Sequence, residues 1–368
     1  MSNTPDFTLH SQIKIIPKTK QNKRMEQNKI DLSSNNLLKT LVLLSLIWVI
    51  FYYGSTLLLP LLVSAMIATL LDKPTKKMQK WGLPHWLAIT ISILLMSIIV
   101  LGLFWLISSQ VSTMVNDWST IREKAVDKYG MFSSWVISNF NVDPKKMVDE
   151  NFNFINKLKT LFEAFISSFS NLLSQSFIIL VYIILLLMQK KMFIIFFQKL
   201  VKNESAAGSI LRNSSQIITG YLFGKGKIMT FLFIIYYVGF LLGEVPYALF
   251  LALFASFFSI IPYVGNLIGG GVAVVLSYLY SGGTPALIVI GVISAAQLIE
   301  NYILTPWIIG DEIDLNPFIT VFGVIVLSVL GGIVGAIIAL PILGVLKVFF
   351  EHTKGMEAYA FLLKQHKN

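Results

Sequence analysis

No cysteine occurs in the 368 residues, which excludes a disulfide framework and any thiolate metal site. Charge is nearly as scarce at 13%, and from Ile228 to Leu346 there is no lysine, arginine or histidine. That stretch holds five acids: Glu244, Glu300, Asp311, Glu312 and Asp314. A water-exposed surface cannot be built from it. The histidines His10, His85, His352 and His366 are isolated in tails or loops, and neither HExxH nor GxSxG spacing occurs. No catalytic constellation and no cofactor motif are visible, so neither an enzyme nor a cofactor is expected.

What the chain does have is apolar length: 55% of residues are hydrophobic and mean hydropathy is +0.73. This is the composition of an all-α, multi-pass membrane protein, whose partner is the lipid bilayer. A helical span needs about 20 apolar residues, and candidates lie at 37–53, 55–71, 86–108, 171–189, 228–243 and 246–261. Three further apolar segments follow at 264–281, 284–304 and 318–346.

Lysine and arginine are distributed between these spans rather than clustered on one motif. Seven fall in 1–39, four in 72–80, seven in 189–227 and four in 347–368, regions that the positive-inside rule assigns to the cytoplasm. The other seven lie in 109–170 against seven acids, as suits an external loop. The net charge of +10 therefore reads as topology, not as nucleic-acid binding. The predicted organisation is a basic cytoplasmic tail (1–36), three transmembrane helices (37–108) and an external helical insertion (109–170). A fourth transmembrane helix (171–189), a cytoplasmic amphipathic linker (190–227), a core with interrupted helices (228–346) and a cytoplasmic tail (347–368) follow.

Nine ordinary crossings would leave the basic C-terminus outside, so at least one late segment does not simply cross. Segment 264–281 follows Pro262 and carries Gly269, Gly270 and Gly271. Segment 318–346 would be about 43 Å long as a straight helix, against a core of about 30 Å, and Gly331 and Gly332 interrupt it. A re-entrant 264–281 gives eight crossings with both termini inside; a broken hairpin at 318–346 is the alternative. Non-helical backbone at that depth must be covered by protein or line a wet cavity.

Between the third and fourth spans, Ile155, Leu158, Phe162, Phe165, Phe169 and Leu172 alternate at three and four residues, a coiled-coil-like seam for a protomer contact, a lever joined to the fourth span, or an amphipathic helix lying on the protein or the membrane. Asp143 and Pro144 suit its start. In the linker, Gly224-Lys225-Gly226-Lys227 is read as a turn; its spacing fails the P-loop pattern and no Ser or Thr follows the lysine. Without nucleotide machinery, uphill transport would draw on an ion gradient.

Thirteen of the 24 glycines and five prolines fall within 262–344. Glycine lets backbones approach closely and proline frees a carbonyl, which is how secondary transporters build sites from interrupted helices. Glu300 lies in an otherwise uncharged run, where a carboxylate costs several kcal/mol unless compensated. Gln297 and Asn301 are four apart on one helix face, with Glu300 beside them. The expected solute or ion site is Glu300, Asn301, Gln297, Asn266 and Tyr263. Backbone breaks are expected at Pro262, Gly265, Gly269, Gly270, Pro306, Gly310, Pro317, Gly331, Gly332, Gly335 and Pro341. Glu300→Gln is expected to abolish or uncouple flux at near wild-type stability.

The order Ile-Pro-Tyr-Val-Gly at 261–265, Gln297-x-x-Glu300-Asn301, Pro306-x-x-x-Gly310, Asn316-Pro317 and Gly331-Gly332-x-x-Gly335, ending at Pro341, resembles the AI-2E family, the autoinducer-2 exporter-like or PerM-like membrane proteins. The resemblance covers roughly Leu37 to Phe350. It implies eight transmembrane segments in a bacterial cytoplasmic membrane, cytoplasmic termini, no ATP use and a homo-oligomer. It also implies export of a small polar signalling solute or, in some relatives, exchange of sodium or lithium for protons. A membrane scaffold working through the external seam is a third reading, from a different class. Two departures stand out: Gly224-Lys225 where such relatives commonly have Gly-Gln, and the acidic loop Asp311-Glu312-Ile313-Asp314.

Overall fold

Long runs of apolar residues in lipid must satisfy every backbone N–H and C=O internally, and the helix is the open-chain solution. The computed structural model describes residues 34–140, 176–201, 203–261, 265–310 and 314–365, with isolated positions between 159 and 170. Among these the helices are α1 (Ser34–Lys80), α2 (His85–Asn116), α3 (Trp118–Phe140), α4 (Ser176–Met188), α5 (Lys190–Val201) and α6 (Glu204–Leu242). They continue with α7 (Ala248–Phe258), α8 (Asn266–Ser281), α9 (Gly283–Ile308), α10 (Pro317–Glu351) and α11 (Glu357–Leu363). The chain divides into compact units Met1–Gly54 and Ser55–Asn368. The interactions below all lie in the second.

The chain is an all-α polytopic membrane protein, and among the described residues its candidate spans are divided differently from those expected. Five described helices are long and apolar enough to cross, or six if α4 and α5, bent by 71°, count as one. Segments 37–53 and 55–71 both fall in α1. A lone Gly54 costs only about 1 kcal/mol in a helix and does not stop it. The linker is likewise not separate: its second half and the fifth span form the 39-residue α6, so Gly224-Lys225-Gly226-Lys227 is helix interior rather than a turn. The seam residues between 155 and 172, with Asp143 and Pro144, lie outside the described residues.

The two late anomalies are both hairpins. Predicted span 246–261 is only the 11-residue α7, about 16 Å long and too short to cross. Its partner α8 returns beside it: a Cβ on Gly269 would sit 2.6 Å from the Ala255 Cα, and one on Gly265 would sit 2.6 Å from the Ser259 amide nitrogen. Glycine at these two positions is what lets the backbones touch. Helix α10 passes a length test for one span, yet Gly332 has φ 57° and ψ −144°, which no helix accommodates. A Cβ on Gly323 would lie 2.5 Å from Leu343 Cδ1, whereas 20 residues of straight helix extend about 30 Å. The chain therefore folds back at Gly331-Gly332, and Gly335 lies against the Leu327 carbonyl. The chain folds back within 318–346, while 266–281 is one helix whose first turn is π-helical and which pairs with α7.

Packing follows the apolar stripe of α6, whose Tyr221, Ile228, Leu232, Tyr236 and Phe240 are fully buried. They form one core with Phe250, Leu251, Phe254, Ala255 and Phe258 of α7 and Val272, Ala273 and Leu276 of α8. A second, smaller core joins Ala68 and Leu71 of α1, Ile89 and Ile93 of α2, and Ile183 and Leu187 of α4. Buried hydroxyls there are paired: Ser64 donates to the Pro60 carbonyl at 2.6 Å, and Thr75 donates to Ser92 at 3.0 Å.

Candidate functional site

Glu300 and Asn266 each stand at the first residue of a π-helical turn, Glu300–Leu304 in α9 and Asn266–Gly270 in α8. A π turn bonds residue i to i+5 and inserts one residue into the helix, which turns the side chains beyond it onto another face; such turns are frequent at functional sites. Gln297 and Asn301 keep the shared face expected of them, while Glu300 turns to a different partner.

Glu300 points inward and is 7% exposed. Its Oε1 lies 3.0 Å from Nζ of Lys225, itself 8% exposed on α6. The same ammonium donates to the Ser259 carbonyl at 3.0 Å, at the C-terminal end of α7, where the helix dipole also favours a cation. One turn earlier on α6, the Tyr221 hydroxyl donates to the Ile260 carbonyl at 3.1 Å. Lysine and tyrosine thus tie the bend of the α7–α8 hairpin to α6, and the lysine adds α9 through Glu300.

The neutral residues make a separate line. Tyr236 donates its hydroxyl to Asn266 Oδ1, Asn266 donates Nδ2–H to Gln297 Oε1, and Gln297 donates Nε2–H to Asn301 Oδ1 at 3.0 Å. Gln297 and Asn266 are half-buried and Asn301 is exposed, so the line leads from the core of α6 outward. Amides can serve as donor or acceptor, and a chain of them can accept hydroxyls of a passing solute in exchange for their own bonds.

Four of the five expected site residues therefore belong to one neighbourhood in two sub-networks, while Tyr263 and Pro262 lie outside the described residues. Gly265, Gly269 and Gly270 supply the close contacts of α8, Gly270 against Ile293 of α9 with a would-be Cβ at 2.9 Å from Cδ1. Pro306 begins the last turn of α9, Gly310 takes a left-handed φ of 59°, and Pro317 starts α10 behind an Asn316 cap. Gly331, Gly332, Gly335 and Pro341 belong to the α10 hairpin, not to the Glu300 network. Gly331 lies instead against Leu59 of α1, a would-be Cβ 2.8 Å from Cδ2. Lys225 and Tyr236 were missed as site residues. Lys225 was visible only as a departure at that position, and its burial on α6 was hidden by reading the segment as a turn. Its presence bears on Glu300→Gln, since that change strands a buried ammonium.

A buried ion pair, an amide relay and paired π turns thus lie among helices long and apolar enough to cross a membrane. The AI-2E family transporter model matches residues 41–355, and the chain belongs to that family. It is 24% identical to YueF of Bacillus subtilis over 80% of this chain and 84% of that one. Identity to YrrI of the same organism is 26%, over 84% and 90%. To the AI-2 transport protein TqsA of Escherichia coli it is 22%, over 89% and 96%.

Proposed function

We propose that this protein is a secondary carrier that exports a small polar, hydroxyl-bearing solute of the autoinducer-2 kind across the bacterial cytoplasmic membrane. The observation that carries the reading is the Tyr236–Asn266–Gln297–Asn301 relay beside a charge-compensated Glu300. Neutral donors and acceptors suit a neutral polyol, and the name of TqsA, AI-2 transport protein, points the same way. The basic segments would face the cytoplasm, the protein would act as a homo-oligomer, and no bond of the solute would be made or broken.

Sodium or lithium exchange for protons is the competing transport reading, with Glu300 as proton site. The Lys225 ammonium at 3.0 Å disfavours it, because a cation would have to displace a fixed positive charge to reach the carboxylate. Proteoliposomes decide between them. Counterflow of a labelled autoinducer-2-like solute with no sodium- or lithium-dependent loss of an imposed pH gradient supports the exporter. Cation-driven loss of the gradient by the wild-type protein overturns it. A scaffold would instead keep its phenotype in relay variants and lose it on deletion of 145–170.

A further inference from the structure

A second cluster of charge lies away from the transport site. Where α4 meets α5 at their 71° elbow, a cavity of about 730 Å³ opens between the C-terminal part of α1, the elbow and the first turns of α6. Its lining is divided by chemistry. One part is cationic, with Lys76, Lys190 and Arg212 against the single carboxylate of Asp72. The other is apolar, supplied by residues such as Leu186, Phe193 and Phe196.

Asp72 is already shared, 3.0 Å from Lys76 and 2.7 Å from Lys190, whereas Arg212 makes no ion pair among the described residues. Three cations facing one acid leave a positive excess, and a guanidinium with no ion-pair partner among the described residues is a group that phosphate oxygens satisfy. Phe193 and Phe196 line the cavity and are exposed on α5, next to Met192, Ile195 and Leu200. Helix α5 is therefore built to lie at a membrane surface, with lysines at 190, 191 and 199.

We infer that this cavity is a binding site for an anionic phospholipid, its phosphate held by Arg212 and Lys190 and its acyl chains lying along the phenylalanines of α5. A free phosphate would leave the apolar wall uncovered, and a zwitterionic lipid would leave the positive excess uncompensated. The site is separate from the solute site and does not rest on the transport reading.

Native mass spectrometry of the full-length protein, released from micelles doped with phosphatidylglycerol or phosphatidylcholine, tests it. The expected result is one phosphatidylglycerol per protomer that survives activation which strips phosphatidylcholine. Arg212→Gln should weaken retention at least tenfold, Arg212→Lys should restore part of it, and Phe193→Ala with Phe196→Ala should weaken it without altering salt sensitivity. Equal retention of the two lipids, or retention unchanged in Arg212→Gln, overturns the proposal. So does displacement of phosphatidylglycerol by millimolar inorganic phosphate, which would make the cavity a site for the free anion. Arg212 is exposed, so its substitution spares the core.

Discussion

Lys225–Glu300 and Lys190–Asp72 have the same chemistry and nearly the same separation, 3.0 and 2.7 Å, yet they do different things. The first pair has about a tenth of each side chain exposed and joins helices 75 residues apart in sequence. The second leaves 40% of the lysine and 21% of the aspartate exposed, and a second lysine shares the carboxylate. Burial decides the energetics. In low dielectric, removing one member strands a charge at a cost of several kcal/mol, whereas at a wet surface solvent screens whatever remains. The inner pair is thus a structural tie among three elements; the outer cluster leaves charge available to a ligand.

The largest effect that could break this contrast comes from single substitutions in the inner pair. Lys225→Met and Glu300→Gln should each lower stability by about 3–5 kcal/mol, while Lys225→Met combined with Glu300→Leu should recover most of it. Thermal unfolding in detergent measures all three, and single variants within about 1 kcal/mol of wild type would show the pair to be wet. Next comes the backbone contact beside it. Gly269→Ala should cost about 1–3 kcal/mol, because the added Cβ meets the Ala255 backbone, which has no flexible end to move aside. Gly332→Ala has open space, but its φ of 57° with ψ of −144° is a conformation nearly restricted to glycine, so about 1–3 kcal/mol is expected in the same assay. In the outer cluster Asp72→Asn should change stability by less than about 1 kcal/mol. A larger loss would erase the distinction between the two pairs.

A pH dependence sharpens the comparison from a third place. Tyr247, in the turn before α7, donates its hydroxyl to Asp117 at 2.6 Å. Burial, then that bond, raises its pKa well above the ordinary 10. The folded state therefore holds the proton more tightly than the unfolded one, and the contribution is complete below pH 10 and lost as pH rises beyond it toward the folded value. Melting curves of wild type should fall relative to Tyr247→Phe only above about pH 10. Parallel curves across that range would remove the Tyr247–Asp117 bond from the account.

Much of this was legible in the chain because it follows from composition. A stretch without lysine or arginine from Ile228 to Leu346 can only be lipid-embedded or buried, and a lone Glu300 within it demands a partner whatever the fold. Glycines at 269 and 332 likewise announced places where helices would touch or break. The misreadings have an equally physical origin. Apolar periodicity cannot distinguish an 11-residue helix that turns back from one that crosses, since both bury the same residues, and it carries α1 through Gly54 or stops it there with equal ease. A glycine-lysine-glycine sequence reads as a turn, whereas the structure runs α6 straight through it, with Gly224 packed against Ile309.

The sequence by itself determined the solvent this protein lives in, the family it belongs to and the presence of a buried carboxylate with amides beside it, because these depend on which residues are present and on their local spacing. Only the tertiary structure decided that Lys225 answers Glu300, that Asn266 reaches Gln297 and that two π turns set their register. Those choices depend on which helix lies against which across 31 to 75 residues of chain, and local propensity carries no information about that.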